Sequence, residues 1–272
     1  MKRRLASTGG IAVTTTLFVL LVAAFRFLPQ AISDACHSGF GDQTARIDAL
    51  SRGLTEFWRS GGPGFPPELA NLVDYWRVWH ATKIVICVFM VVVLIALAWG
   101  LWIRYVAATS RAPVWATAAG FVTVLVFAAA FVLAVNVQAT AGPSIALLPM
   151  LSERPADPAL VGTLREMKTG LTDGGSTAAA SPALQTLIDD AARYHWTLAV
   201  ASLVLGVVAA GAAVVAWRRR SGAEHASRNR TAATVLGVVT TVGAVLLLGL
   251  AAAGTVSALD PEASLVAVLG IG

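Results

Sequence analysis

The sequence predicts an all-α integral membrane protein with five transmembrane helices, its N-terminus in the cytoplasm and its C-terminus outside. Three observations lead there. Hydrophobic residues fill 57% of the 272 positions and charged residues only 13%, whereas a soluble domain carries about 25% charged residues. The mean hydropathy is +0.73, so too few charges remain to cover a water-soluble surface. Finally, five runs reach the roughly 20 mostly apolar residues that a bilayer crossing needs.

The elements follow in order. Residues 1–9 form a cytoplasmic N-terminus and 10–28 the first span. An outer helical loop, 29–83, leads to the second span, 84–103. A short cytoplasmic loop, 104–113, precedes the third span, 114–137, and a second outer helical loop, 138–196, precedes the fourth, 197–217. A basic cytoplasmic loop, 218–230, then leads to the fifth span, 231–257, and an outer C-terminal tail, 258–272. The first run could instead be a secretory signal, since MKRR precedes it and Ser33-Asp34-Ala35 offers a cleavage site. At about 19 residues it is longer than a usual signal core, and a retained anchor is expected.

Charge sets the orientation. The N-terminus and the two short loops hold Lys2, Arg3, Arg4, Arg104, Arg111, Arg218, Arg219, Arg220, Arg228 and Arg230, with Glu224 as their only acid. Basic residues keep short loops in the cytoplasm, which puts both long loops outside. The net charge of +5 thus reflects topology and excludes a nucleic-acid partner. Trp76, Trp79 and Trp196 fall at the outer boundary; Trp99, Trp102, Trp115 and Trp217 fall at the inner one. Aromatic rings favour that interface.

A phrase recurs in the two outer loops. PELANLVDYWRVWHAT (67–82) lies over PALQTLIDDAARYHWT (182–197) at an offset of 115, with six identities in sixteen columns. The simplest account is a duplicated unit of span, outer loop and span. The two copies form a parallel repeat about an axis along the membrane normal, and the fifth span begins a third copy. Pro67 and Pro182 can open helices at the first turn. Leu69, Leu72, Val73, Trp76 and His80 then share one face, as do Leu184, Leu187, Ile188, Ala191 and His195. Upstream, Asp42 can cap a helix with a stripe of Ile47, Leu50, Leu54, Phe57 and Trp58, while Asp157 caps and Pro158 opens another. GGPGFPP (61–67) and TDGGSTAAASP (172–182) read as linkers. The two outer helical hairpins are expected to pack together as a small extracytoplasmic cap.

The spans carry no ionisable residue at mid-depth; Arg26 and Lys83 lie close enough to the outer surface to snorkel. Ion-coupled transport needs such residues, so active transport is not expected. Gly206, Ala210, Gly211, Gly237, Gly243 and Gly249 give the fourth and fifth spans small-residue faces, suited to close packing within the bundle or against a protein partner.

Four side chains carry candidate chemistry. Cys36, His37, His80 and His195 all fall on the outer side, and sulfur with imidazole is a ligand set for copper, zinc or haem iron. His80 and His195 occupy equivalent repeat positions. Against a metal site, no CxxC, HxxxH or HxH spacing occurs, and an interfacial histidine with a wet tip accounts for each. Asp74 is expected to pair with Arg77 and Asp189 with Arg193, at i+3 and i+4. The chain holds no phosphate-binding glycine loop, nucleophile elbow, zinc motif or kinase motif. No catalytic residue or cofactor is expected.

The expected function is a non-enzymatic accessory, assembly or sensing protein of the plasma membrane that presents its cap to an envelope partner. The lipid bilayer is its first partner. Two alternatives stand beside it: a passive permease or channel along the repeat axis, and an outward-facing metal- or haem-handling membrane protein or enzyme.

Overall fold

A computed structural model describes residues 6–153, 157–172, 181–221 and 227–269. Lys2, Arg3, Arg4, Glu224, Ser176 and most of the expected linker at 172–182 lie outside the described residues. The elements are α1 (Thr8–Cys36), α2 (Gln43–Ser60), α3 (Pro67–Ala107), α4 (Ala112–Ala141), α5 (Pro143–Leu147), a 3-10 segment (Leu148–Glu153), α6 (Pro158–Thr172), α7 (Pro182–Ser221), α8 (Ser227–Leu259) and α9 (Pro261–Val268). The described residues contain no strand. Five helices, α1, α3, α4, α7 and α8, are long and apolar enough to cross a membrane, which suits a multi-pass protein in a lipid bilayer.

The chain divides into two compact units. The first comprises Met1–Phe27, Lys83–Val135 and Val200–Ala251; the second comprises Leu28–Thr82, Asn136–Ala199 and Ala252–Gly272. α3 and α7 are 41 and 40 residues long, about 60 Å each at 1.5 Å per residue, and contribute to both.

In the first unit the interior is built from Leu94, Leu97, Ala98, Leu101, Trp102, Tyr105, Ala119, Val122, Ala129 and Ala232, with a smaller group of Ala209, Ala244 and Leu247. Small residues set the helix spacing. A Cβ on Gly243 would stand 2.3 Å from the Phe127 ring, and one on Gly206 would stand 2.9 Å from Leu248 Cδ2. Gly211 and Gly249 have open space instead, so only part of the expected small-residue face is used within the unit. Trp102 corrects the reading of the tryptophans as interfacial anchors. Its side chain is buried, and Nε1 donates to Thr123 Oγ1 at 3.1 Å. An indole taken from water needs such an acceptor, and α4 supplies it.

The second unit is a helical assembly with a bulky interior. α2 packs on α6 and on the 3-10 segment, and α6 packs on α9. The stripe of Ile47, Leu50, Leu54 and Phe57 is buried, with Trp58 partly so. Phe57 meets Phe65 edge-on at 4.9 Å. Three of the short helices, α2, α6 and α9, start on an aspartate: Asp42 accepts from Ala45 N, Asp157 from Leu160 N, and Asp260 from Ala263 N. A carboxylate there satisfies one of the free N–H groups of the first turn. Gly61 ends α2 at φ 62°, its N–H bonded to Trp58 O, the left-handed cap that glycine adopts without a Cβ penalty.

Three segments differ from the sequence reading. α1 does not stop at Leu28 but continues through Pro29 to Cys36; proline removes one i to i−4 bond, and the helix carries that single loss. The segment 143–153, inside the expected outer helical loop but assigned no helix of its own, is helical and buries Ile145, Leu147, Leu148 and Met150. Within the tail expected at 258–272, Pro261–Val268 form α9, which buries Leu265.

Candidate functional site

Among the described residues, the second unit gathers most of the buried polar and aromatic side chains, and their positions follow from how α1, α3, α4 and α7 are built. Because α1 passes Pro29, its last turn brings Asp34 to α3. There Tyr75, fully buried, donates its hydroxyl to Asp34 Oδ1 at 3.1 Å. Arg46 on α2 reaches the same place. Its Nη1 donates to Phe40 O at 2.6 Å, and its guanidinium lies 5.9 Å from the Tyr75 ring centre and 5.7 Å from that of Trp79. Gln30 Nε2 donates to Gly41 O at 3.0 Å, so the link between α1 and α2 is held from both sides. Tyr75 lies nine residues before the apolar run that starts at Ile84. Burial pushes its phenol up to about 12, with the Arg46 cation opposing and the Asp34 carboxylate adding to the shift.

From Tyr75 a series of rings runs along α3. His37 stands edge-on to Tyr75 at 6.5 Å, and Trp79 lies 6.0 Å from Tyr75. Trp76 stacks on Trp79 at 6.0 Å and meets His80 edge-on at 4.9 Å. His80 Nδ1 lies 2.8 Å from Asn136 Oδ1 on α4. With the amide oxygen facing the ring, Nδ1 carries the proton.

On α7 the buried Asp190 accepts from Ser144 Oγ on α5 and from Arg193. This corrects the expected pairing of Arg193 with Asp189. Asp189 faces outward and accepts from Gln185 Nε2 at 2.8 Å, whereas a carboxylate taken from water, as Asp190 is, demands a cation and a donor. Arg77 pairs with Asp74 as expected. Gly142 permits the approach of α4 to α7, since a Cβ on it would stand 2.7 Å from Tyr194 Cβ and 3.0 Å from Asp190 O.

The four candidate ligands fall as follows. Cys36 is an exposed free thiol, and Cys87 is free and buried. His37 lies at one end of the ring series and His80 at the other. His195 meets the Tyr194 ring edge-on at 5.2 Å, with its Nε2 buried and without a hydrogen-bond partner. The repeat-related His80 and His195 thus have different partners. Among the described residues no group of three or more His, Cys, Asp or Glu side chains could hold a metal ion. Chemically the arrangement fastens helices: phenol to carboxylate, imidazole to amide, hydroxyl to carboxylate, each from one helix to another.

Sequence reasoning passed over Tyr75, Asp34, Arg46, Ser144 and Asp190. Tyr75 was within reach, because Leu72, Tyr75 and Trp79 repeat at i, i+3, i+7. Asp34 and Arg46 come from other helices, and no local pattern joins them to it. The chain matches no protein-family model, no curated protein and no solved structure.

Proposed function

We propose that the chain is a plasma-membrane protein with a cytoplasmic N-terminus, whose second unit is an extracytoplasmic helical cap. The cap serves a non-enzymatic accessory, assembly or sensing role by meeting an envelope partner. One observation carries the functional reading. Asp34, Tyr75, His80 and Asp190 each bond to a side chain on a different helix, so the cap's interior polar groups serve to fix a shape. A fixed helical surface suits recognition. The duplication draws support from helix starts at the same offset of 115: Asp42 and Asp157 as caps, Gln43 and Pro158 as first residues of short helices, Pro67 and Pro182 as first residues of long ones.

Affinity purification of the full chain from native membranes tests the role. A protein recovered in constant ratio through salt washes is the expected result. One metal ion or haem per chain would overturn it in favour of the metal-handling reading. For sidedness, single cysteines are introduced after replacing Cys36 and Cys87. Ser60 and Ser176 should label from outside in intact cells, while Ser110 and Ser221 stay protected. Labelling at Ser221 would reverse the orientation.

A further inference from the structure

The first unit contains a cavity of about 360 Å³ at the α3–α4 turn, within the roughly 300–1,000 Å³ of small-ligand clefts. Its lining combines apolar and polar residues: Ala6, Ile103, Ala107, Ala108 and Trp115 with Arg104, Thr109 and Ser110. Arg104 is fixed in place. Its Nη1 donates to Ala6 O at 3.0 Å, and its guanidinium sits 4.8 Å from the Trp115 ring centre. That uses one of five donors and leaves the rest for an acceptor. Arg228 adds a second guanidinium at the rim by donating to Ala108 O. Arg111 closes the turn at φ 54°, a left-handed conformation costing about 1–2 kcal/mol for a residue with a side chain. Its carbonyl accepts from Val114 N and Trp115 N, which seats Trp115 beside Ser110.

Among the described residues of the first unit there is no Asp or Glu to pair with these arginines. The whole first unit holds twelve Lys and Arg residues and one acid, Glu224. Their neutralising charge must come from outside the unit.

We infer that this cavity binds the phosphodiester head group of an anionic membrane phospholipid. Arg104, Thr109 and Ser110 hold the phosphate oxygens, and Ile103, Ala107 and Trp115 cover the glycerol backbone. A guanidinium fork matches phosphate geometry, and the apolar residues among the lining distinguish a lipid from a free anion. The inference rests on the chain lying in a bilayer, not on which side its short loops face. Binding measured in micelles is therefore blind to orientation, which the labelling experiment reads separately.

The test uses the full chain purified in a neutral detergent, with phosphatidylglycerol, phosphatidylcholine and inorganic phosphate as separate probes. Native mass spectrometry counts bound lipid, and thermal unfolding gives the stabilisation. Phosphatidylglycerol should bind at one site and raise the melting temperature, with phosphatidylcholine and phosphate weaker. Arg104→Gln should lower phosphatidylglycerol affinity about ten-fold or more. Ser110→Glu, at an exposed loop position, should do the same without touching the Arg104 contacts, which covers the case in which Arg104→Gln fails to fold. Replacing Arg218, Arg219 and Arg220 together by Gln should leave the affinity nearly unchanged. Equal loss in that triple variant would show diffuse charge and overturn the site. Equal binding of phosphatidylcholine, or displacement of the lipid by phosphate alone, would overturn the assignment as well.

Discussion

In the first unit twelve Lys and Arg residues stand against a single acid, whereas the second holds eight bases and fourteen acids. Bulk is divided as unequally as charge. Of the twelve largest fully buried side chains, Leu94 alone lies in the first unit; Tyr75, Phe57, Leu50, Met167 and Leu187 are among those in the second. The first unit leaves Val242, Val245 and Leu246 exposed. Lipid tails are as apolar as these side chains, so burying them gains little, and helices there associate by close contact through small residues. Large side chains packed inward are what water around a domain produces, in line with the proposed extracytoplasmic cap. The two units thus show two solutions within the same long helices α3 and α7: contact through glycine in one, burial of bulk in the other.

The sharpest way to break this contrast is at Phe57. Phe57→Ala should cost about 3–5 kcal/mol, the usual price of emptying a buried aromatic site, read by denaturant unfolding followed through tryptophan fluorescence. Val245→Ala, at an exposed position of the first unit, should be near neutral. Equal costs at the two sites would erase the distinction.

Within the first unit, glycine sharpens it. Gly243→Ala places a methyl group 2.3 Å from the Phe127 ring and should cost about 1–3 kcal/mol by overpacking. Gly249→Ala meets open space and should be neutral or slightly stabilising through helix propensity. Thermal unfolding of the two variants side by side decides it. A neutral Gly243→Ala would mean that α8 is not held at that spacing.

The smallest effect concerns Tyr75. Tyr75→Phe should cost about 1–2 kcal/mol at neutral pH, because Asp34 loses a donor. The alkaline response is more specific. Tyr75 keeps its proton to about 12 in the folded chain, against 10.0 ordinarily. Between those values the unfolded state binds fewer protons than the native one, so stability falls as pH rises from 10 to 12 and is unaffected below 10. Tyr75→Phe should show a shallower fall across that window in a pH series of denaturant titrations. Parallel curves would remove Tyr75 from the buried network.

How much of this was legible depended on the range of each signal. The five apolar runs, the prolines at 67 and 182 and the aspartates at 42 and 157 are local features, and each predicted helix starts where they stand. Asp260-Pro261 repeats the Asp157-Pro158 signal ahead of α9, yet the tail's shortness hid it. The end of α1 lay beyond the expected span because the apolar run, which set the boundary at Leu28, says nothing of how far the helix continues past it. The polar fastening of the second unit was out of reach for a different reason. Asp34, Arg46 and Tyr75 sit on three helices, and Ser144 meets Asp190 across 46 positions. Choosing Asp190 over Asp189 required knowing which face of α7 is buried, and periodicity alone does not say which of two adjacent carboxylates turns inward.

The bond from Tyr75 to Asp34 bears on how the chain matures. Ser33 has no exposed surface, and Ser33, Asp34 and Ala35 are wound into α1. A peptidase takes its substrate as an open strand, so cutting there requires local unwinding and the release of Asp34 from Tyr75. Opening of that kind is limited by the stability of the surrounding helices once α3 has docked. A cut at residues 33–35 would therefore meet less resistance before α3 packs against α1 than after it.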